Sequence, residues 1–175
     1  MNDLAALHNT VFVGQGVGCA GTTMTDTLKS VPTEKLLEFP VAEDLQMGFC
    51  IGLALQGLLP VCIYPRWNFT LLAANQLVNH LDRLPVMGYS PRVIIRTQVP
   101  TVHPFNPGPQ HDDDFTDVFK KMLRTVVVSE LRNVEDVRAG YAAALVRAGS
   151  TLLVEYADQY GAIPSGVAMS EQCPP

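Results

Sequence analysis

The chain has 175 residues, of which 47% are hydrophobic and 17% are charged, and its formal net charge is −5. A chain of this length suits one domain, which buries roughly two-thirds of the surface that the unfolded chain exposes. The sequence shows no basic patch, which argues against a nucleic-acid-binding protein. No apolar run is long enough to span a membrane, and the first nine residues do not resemble a signal peptide. We therefore expect a cytoplasmic protein that is not inserted in a membrane.

The four cysteines are Cys19, Cys50, Cys62 and Cys173, and no two of them have CxxC spacing. Three of them lie in or beside apolar segments. We therefore expect reduced cysteines that pack in the core, which agrees with a cytoplasmic location.

Six short apolar runs are each suited to a β-strand, and helical patterns lie between most of them. The predicted strands cover residues 10–13, 36–39, 61–64, 92–96, 125–128 and 152–155. The predicted helices cover residues 22–29, 43–56, 69–84, 115–123 and 134–148. This alternation predicts an α/β fold with a doubly wound, mostly parallel six-stranded sheet and helices on both faces. We expect one domain over residues 1–160, followed by a C-terminal tail over 161–175 that is a linker or lies on a partner.

A glycine-rich turn, from Gly14 to Gly21, follows the first predicted strand. Read from Gly14, it does not complete the Gly-x-Gly-x-x-Gly pattern of dinucleotide-binding proteins, because Cys19 and Ala20 precede Gly21. The next predicted strand places Glu38 in its body rather than at its end, where a ribose contact would need an acid. Dinucleotide binding is therefore only weakly indicated. A tight turn in which backbone approaches backbone is enough to explain these glycines.

Glu43 stands where a strand gives way to a helix. The strand ends near Pro40, and the helix that follows is apolar on nearly every side, which predicts a buried helix. This junction places Glu43 at the carboxyl edge of the predicted parallel sheet, where open α/β sheets bind their ligands. The alternative is an acid that complements the helix dipole, worth a few tenths of a kcal/mol. We expect Gly57 to cap the end of this helix.

Two large aromatic residues, Trp67 and Phe69, follow the third predicted strand at the same edge. Core packing is the usual role of such rings, but a flat ring at a sheet edge can also stack on a heterocycle. The helix that begins near Asn68 carries three further amides, Asn75, Gln76 and Asn79. These amides predict either a solvated face or a subunit interface.

The loop over residues 98–114 contains four prolines and one glycine, which preclude a helix. Loops of this length without secondary structure are usually functional or disordered. His103 and His111 lie eight positions apart beside adjacent acids, a spacing that matches no compact metal-ligand set, so we predict no metal site here. The acids at 112–114 suit the start of the next helix. His111 suits an acid/base or charge-stabilising role, since histidine side chains titrate near neutral pH.

These elements, in this order, resemble the pyrimidine-binding domain of thiamine-diphosphate enzymes. The nearest types are the β subunit of 2-oxoacid dehydrogenase E1 components and the central domain of transketolases. The resemblance covers residues 10–160. The matching segments are FVGQGVG at 12–18, FPVAE at 39–43, GFCIGLALQGLLPV at 48–61, NF at 68–69 with NQLVN at 75–79, VIIR at 93–96, GPQH at 108–111 and LVEY at 153–156.

The resemblance implies a role for three side chains. Glu43 matches the glutamate that activates the cofactor by hydrogen bonding to N1′ of its aminopyrimidine ring, which requires a carboxyl group in a mostly apolar pocket. Phe69 matches the aromatic residue that packs on that ring, and we add Trp67 as a second aromatic cofactor contact. His111 matches the histidine of a Gln-His pair that faces the substrate or a lipoyl-bearing partner. The implied cofactor is thiamine diphosphate, which itself carries the bond-breaking chemistry.

The sequence also departs from this family. Gln15 stands where E1 β chains usually carry a glutamate, and Asp112 and Asp113 replace a polar Ser-Gln pair after the histidine. The Gly-Asp-Gly motif with a following Asn, which holds Mg²⁺ and the diphosphate, is absent from the chain, as is the C-terminal domain that usually follows. The resemblance therefore implies half of a cofactor site, with Mg²⁺ and the diphosphate held by a separate α-type chain.

From this we expect one subunit of a hetero-oligomeric or homo-oligomeric enzyme that is inactive alone. Its reaction would be decarboxylation of, or acyl or two-carbon transfer from, a 2-oxoacid or a ketose. One alternative is a non-catalytic regulatory or binding module that keeps the fold and its dimerising surface. A third, weaker hypothesis is a nucleotide-binding protein of the flavodoxin-like type.

Overall fold

A computed structural model describes residues 1–19, 22–100 and 107–160 of the chain. Within these residues, six strands form one sheet in the order β2-β1-β3-β4-β6-β5. The strands are β1 (Thr10–Gly14), β2 (Leu36–Glu38), β3 (Leu59–Tyr64), β4 (Ile94–Val99), β5 (Val127–Leu131) and β6 (Thr151–Tyr156). Every neighbouring pair is parallel. The predicted α/β fold with a doubly wound six-stranded sheet is confirmed.

Helices cover both faces of this sheet. They are α1 (Asn2–Ala5), α2 (Thr23–Asp26), α3 (Glu43–Leu55), α4 (Trp67–Leu72), α5 (Thr116–Met122) and α6 (Val134–Val146), with a π-helical segment at Gln76–Leu81. Buried side chains of α3, α4, the π-helical segment and α5 form one core layer with the sheet. Those of α1, α2 and α6 form the second core layer, on the other face. Because α1 and α2 have only four residues each, the second layer is thinner.

Two strands begin later than the sequence predicts, and side chains explain both shifts. The amides of Arg124, Thr125 and Val126 donate to the carboxylate of Asp82, at 2.7–3.1 Å, so β5 begins only at residue 127. Likewise, the Val93 amide donates to Ser150 Oγ at 3.1 Å, and β4 begins at the next residue. In both places a side chain takes backbone donors that the sequence pattern assigned to the sheet.

The structure corrects the prediction that α3 is buried on all sides. Leu45 is 61% exposed, and Phe49, four residues later in the helix, is also exposed, as is Val41 just before the helix begins. The opposite side packs on the sheet through Met47 and Cys50. The helix and the residue before its N-cap therefore expose apolar side chains, which we call the α3 stripe and define as Val41, Leu45 and Phe49.

The other helical predictions hold in part. Gly57 follows α3 with a φ of +87°, as its predicted capping role requires. The helix predicted over 69–84 is instead divided between α4 and the π-helical segment. The helix predicted over 22–29 shortens to α2.

Among the cysteines that the structure describes, Cys50 and Cys62 are buried and unbridged, as predicted, whereas Cys19 is exposed. Cys173, His103 and the tail over 161–175 lie outside the described residues. A search of the described helices finds none with the length and apolar character needed to cross a membrane.

Candidate functional site

The carboxyl ends of β1 and β3 lie side by side, and the chain leaves them in opposite directions. From β1 the chain passes to β2 on one side of the sheet, whereas β3 leads to β4 on the other side. Such a divergence opens a crevice at the carboxyl edge, and this is where open α/β sheets bind ligands. Glu43, the first residue of α3, lies at this crevice and contacts both strand ends.

Glu43 is only 5% exposed. Gln15, which follows β1, donates from Nε2 to Glu43 Oε1 at 3.1 Å. Tyr64, the last residue of β3, donates its hydroxyl to the main-chain oxygen of Glu43 at 2.9 Å. Among the described residues, Gln15 is the one hydrogen-bond donor to the carboxylate. Glu43 is therefore held by both strands, and no residue in the described part of the chain donates to its second carboxyl oxygen, Oε2.

The Tyr64 hydroxyl that holds Glu43 is a neutral donor. Burial raises the pKa of Tyr64, and the neighbouring Cys62 and the Glu43 carboxylate raise it further. The hydroxyl therefore keeps its proton at physiological pH and can donate to the start of α3.

A second polar residue of α3, Gln46, was missed by the sequence reasoning. It is fully buried, and its Nε2 donates to the main-chain oxygen of Ile63 at 3.0 Å and to Cys62 Sγ at 3.3 Å. These bonds fix the first turn of α3 against β3, directly below Glu43. A lone amide three residues after the glutamate, in an otherwise apolar helix, was the available signal.

The first glycine turn is bound to a second carboxylate, that of Glu38. The Gly16 amide donates to Glu38 Oε1 and the Gly18 amide to Oε2, both at 2.7 Å. Gly16 has a φ of +66°, a conformation that favours glycine. In addition, the Phe39 amide donates to the Gly14 oxygen at 2.8 Å. The turn that carries Gln15 is thereby tied to the segment that leads to Glu43.

This geometry corrects two points of the dinucleotide argument. Glu38 is the last residue of β2 rather than part of the strand body, and the glycines at 16, 18 and 21 do have Gly-x-Gly-x-x-Gly spacing. Both points strengthen the sequence signal for a dinucleotide site. The structure, however, directs the Gly16 and Gly18 amides to the protein's own carboxylate, where a bound phosphate would otherwise use them.

The structure brings Phe69 and His111 together at the same edge. Phe69 lies in the first turn of α4, half-buried, and its ring centre is 5.5 Å from that of His111 at an interplanar angle of 78°. Asn68 Nδ2 donates to Asp113 Oδ2 at 2.8 Å, which joins the loop after β4 to the start of α4. Asp114 Oδ1 accepts from the Thr116 amide at 2.9 Å, at the first residue of α5, so of the three acids expected to begin this helix Asp114 is the one that bonds to it.

The structure places Trp67 in the core rather than at the crevice surface. It is 0% exposed and packs against Phe119, with ring centres 4.9 Å apart, and edge-on against Phe115. This burial favours core packing over a cofactor contact. No group of three His, Cys, Asp or Glu side chains in the described part of the chain could hold a metal ion.

Comparison with solved structures shows which type of fold this chain has. A split-gene transketolase, described as an inactive β4 tetramer, aligns with a TM-score of 0.67 and 18% identity over 91% of this chain and 48% of its own. The transketolase from Campylobacter jejuni aligns at 0.62 with 17% identity, over 85% and 22%. Benzoylformate decarboxylase from Polynucleobacter necessarius aligns at 0.61 with 16% identity, over 95% and 30%.

The chain has the fold of a thiamine-diphosphate-enzyme domain. This agrees with the resemblance to pyrimidine-binding domains drawn from the sequence. The chain spans about half or less of the length of these three structures, and at this identity the likeness concerns the fold. No family model and no curated protein matches the sequence.

Proposed function

We propose that this chain supplies the pyrimidine half of a thiamine-diphosphate site, which a second chain completes. The observation that carries this proposal is the state of Glu43. Its carboxylate is buried at the crevice between β1 and β3 and held by Gln15 through one oxygen, and no residue that the structure describes donates to the other. A buried carboxylate with one open oxygen is suited to hold a proton on a ring nitrogen of a ligand.

The described residues fit one half of the cofactor. Glu43 would face the ring nitrogen through Oε2, and the half-buried ring of Phe69 would pack on the pyrimidine. Thiamine diphosphate, when bound, supplies the electron sink for breaking a bond beside a carbonyl group. The contribution of this chain is to bury Glu43, to orient its carboxyl group through Gln15 and its main chain through Tyr64, and to leave Oε2 open to accept a hydrogen bond from the ring nitrogen.

The other half of the cofactor needs a different chain. The turn amides at Gly16 and Gly18, the donors in this chain best suited to a diphosphate, are taken by Glu38. We therefore assign the diphosphate and its Mg²⁺ to a diphosphate-binding α-type subunit. The α3 stripe begins beside Glu43 and is exposed, so it would contact that subunit and close the crevice. The split-gene transketolase supports this arrangement, because there too the enzyme is encoded in separate pieces.

The substrate of the assembled site would be a 2-oxoacid or a ketose, and the reaction decarboxylation or the transfer of an acyl or two-carbon unit. His111 would face the substrate, since it contacts Phe69 at the open side of the crevice. Asp112 and Asp113 are exposed beside it and favour an uncharged substrate over an anion. A ketose fits this charge better than a 2-oxoacid does.

Native mass spectrometry of the protein purified from its own cells tests the proposal. We expect a second chain in the complex and a bound mass equal to that of thiamine diphosphate. A homo-oligomer that stays empty with added cofactor, Mg²⁺ and a candidate diphosphate-binding chain would overturn the enzyme and leave a non-catalytic binding module.

A further inference from the structure

A cavity of about 310 Å³ lies on the other face of the sheet from Glu43. It lies between α6 and the short helices α1 and α2, over the carboxyl halves of β4 and β6. The four-residue length of α1 and α2 leaves this gap in the helical layer. Its volume is at the lower end of the range found for small-molecule sites. Nothing in the proposed reaction uses it.

The floor of the cavity is a buried ion pair. Arg96, 1% exposed, donates from Nε and Nη2 to the two carboxylate oxygens of Glu155, 7% exposed, at 2.7 and 2.9 Å. The hydroxyls of Tyr141 and Tyr160 each donate to the same carboxylate. Arg96 Nη1 donates to Thr27 Oγ1 at 3.2 Å. The carboxylate therefore has four donors, and the charges of the pair neutralise each other.

The pKa shifts of the floor residues agree with an ionised Glu155 that accepts hydrogen bonds from neutral tyrosine hydroxyls. Burial alone would raise the pKa of Glu155, but the adjacent Arg96 and the hydrogen bonds to the carboxylate lower it. Burial raises the pKa of Tyr141 and of Tyr160, so both remain neutral hydroxyl donors. The network is complete without a ligand. The one further ionisable group that we note at the cavity is the amino group of the half-buried Met1, and burial and the nearby Arg96 lower its pKa, which favours its uncharged form.

The walls above the floor are apolar and aromatic. Leu131, Val134 and Val137 contribute aliphatic groups, and Tyr141 and Tyr160 contribute rings. A charged ligand would lose its hydration here and meet a floor whose charges are already paired, a desolvation cost without compensation. An uncharged ring loses little on desolvation and gains contact with the rings and aliphatic walls.

We propose that this cavity is a second ligand site, which takes an uncharged aromatic small molecule of the benzyl alcohol or phenol type. The ring of the ligand packs on Leu131, Val134 and Val137, and its one polar group faces Gln159, a polar residue that also lines the cavity. This site does not depend on the function proposed for Glu43, because the two lie on opposite faces of the sheet.

Three probes with the same ring and different charge test the proposal: benzyl alcohol, benzoate and benzylamine. Each is titrated into the full chain while the methyl NMR signals of Leu131, Val134 and Val137 are followed. We expect benzyl alcohol to shift these signals, with a dissociation constant at least about ten times lower than that of either ion, a difference of about 1.4 kcal/mol. If none of the probes shifts these methyls, or if an ion binds as tightly as the alcohol, the proposal is wrong.

A cavity-filling variant locates the site. Val137→Trp should abolish the benzyl alcohol shifts, and Val134→Trp, at the first residue of α6, serves as a second variant if the first does not fold. Val118→Trp, at a half-exposed position of α5 on the opposite face, is the matched control and should leave binding unchanged. Unchanged binding in a folded Val137→Trp or Val134→Trp protein would overturn the assignment to this cavity.

Discussion

Two buried glutamates lie near the carboxyl edge of the same sheet, and their surroundings differ. Glu155 receives four donors, two from Arg96 and one each from Tyr141 and Tyr160. Glu43 receives one donor to its carboxylate, from Gln15. A saturated carboxylate is part of the framework, because any new partner would have to displace an existing one. A carboxylate with an open oxygen is available for chemistry.

The sheet itself explains why Glu155 finds so many partners. Arg96 of β4 is in register with Leu153 of β6, and Gln98 is in register with Glu155. Arg96 and Glu155 are therefore diagonal neighbours on one face of two central strands, where long side chains reach each other. Glu43 is not part of a strand, so the ladder gives it no such neighbour, and a loop residue supplies its one donor.

The largest expected effect is on turnover, from Glu43→Gln. The amide keeps the volume of the side chain but cannot share a proton, so we expect turnover of the assembled enzyme to fall by about 10²–10⁴-fold, with its assembly intact. Steady-state kinetics with native mass spectrometry measure both. Asp44→Asn, at the exposed next position of α3, is the matched control and should stay within a few-fold of the parent. Unchanged turnover in Glu43→Gln would contradict the catalytic role.

At Glu155, we expect substitution to lower the stability of the fold. Glu155→Gln leaves the buried Arg96 without its counter-charge, which should lower the free energy of unfolding by about 3–5 kcal/mol. Urea unfolding of the chain measures this. Asp26→Asn is the control, because Asp26 pairs with Lys29 at the surface, where such pairs contribute about 0–1 kcal/mol. If both variants lost the same free energy of unfolding, the buried carboxylate would contribute no more to stability than a surface one, and this account would be wrong.

A smaller effect is expected from Gln15→Ala, which takes away the one donor to Glu43. A hydrogen bond to a charged group contributes about 1.5–3 kcal/mol, so turnover should fall by about 10–100-fold. Gln15→Asn, which keeps the amide on a shorter side chain, should recover part of the loss. Full turnover in Gln15→Ala would show that Tyr64 and Gln46 alone position the start of α3.

The smallest expected effect is a difference between Glu155→Gln and the parent protein in how steeply the free energy of unfolding falls at acidic pH. Arg96 and the hydrogen bonds overcome the effect of burial and lower the pKa of Glu155. A carboxylate with a lowered pKa stabilises the fold above its unfolded pKa of about 4.3, and this contribution is lost as the pH falls through the folded value. One such group changes the free energy of unfolding by at most about 1.4 kcal/mol per pH unit. Urea unfolding at pH 6 to 3 should therefore show a shallower decline in Glu155→Gln than in the parent. Parallel declines would contradict this account.

The sequence by itself determined the sheet and the position of Glu43. Apolar runs separated by helical patterns predicted the six strands to within a few residues, because a parallel strand that is buried on both faces is apolar along most of its length. The change from strand to helix after Pro40 placed Glu43 at the carboxyl edge for the same local reason. These features depend on neighbours in sequence, and a sequence displays them directly.

The tertiary structure alone decided which polar groups meet. Arg96 and Glu155 are 59 residues apart, and Gln15 and Glu43 are 28 apart, so their pairing follows from strand order and register, which single-sequence patterns do not encode. The same reason explains why Glu38 takes the turn amides, why Trp67 is buried, and why one side of α3 stays exposed. Each of these outcomes depends on which elements pack together, and that choice is made only when the whole sheet forms.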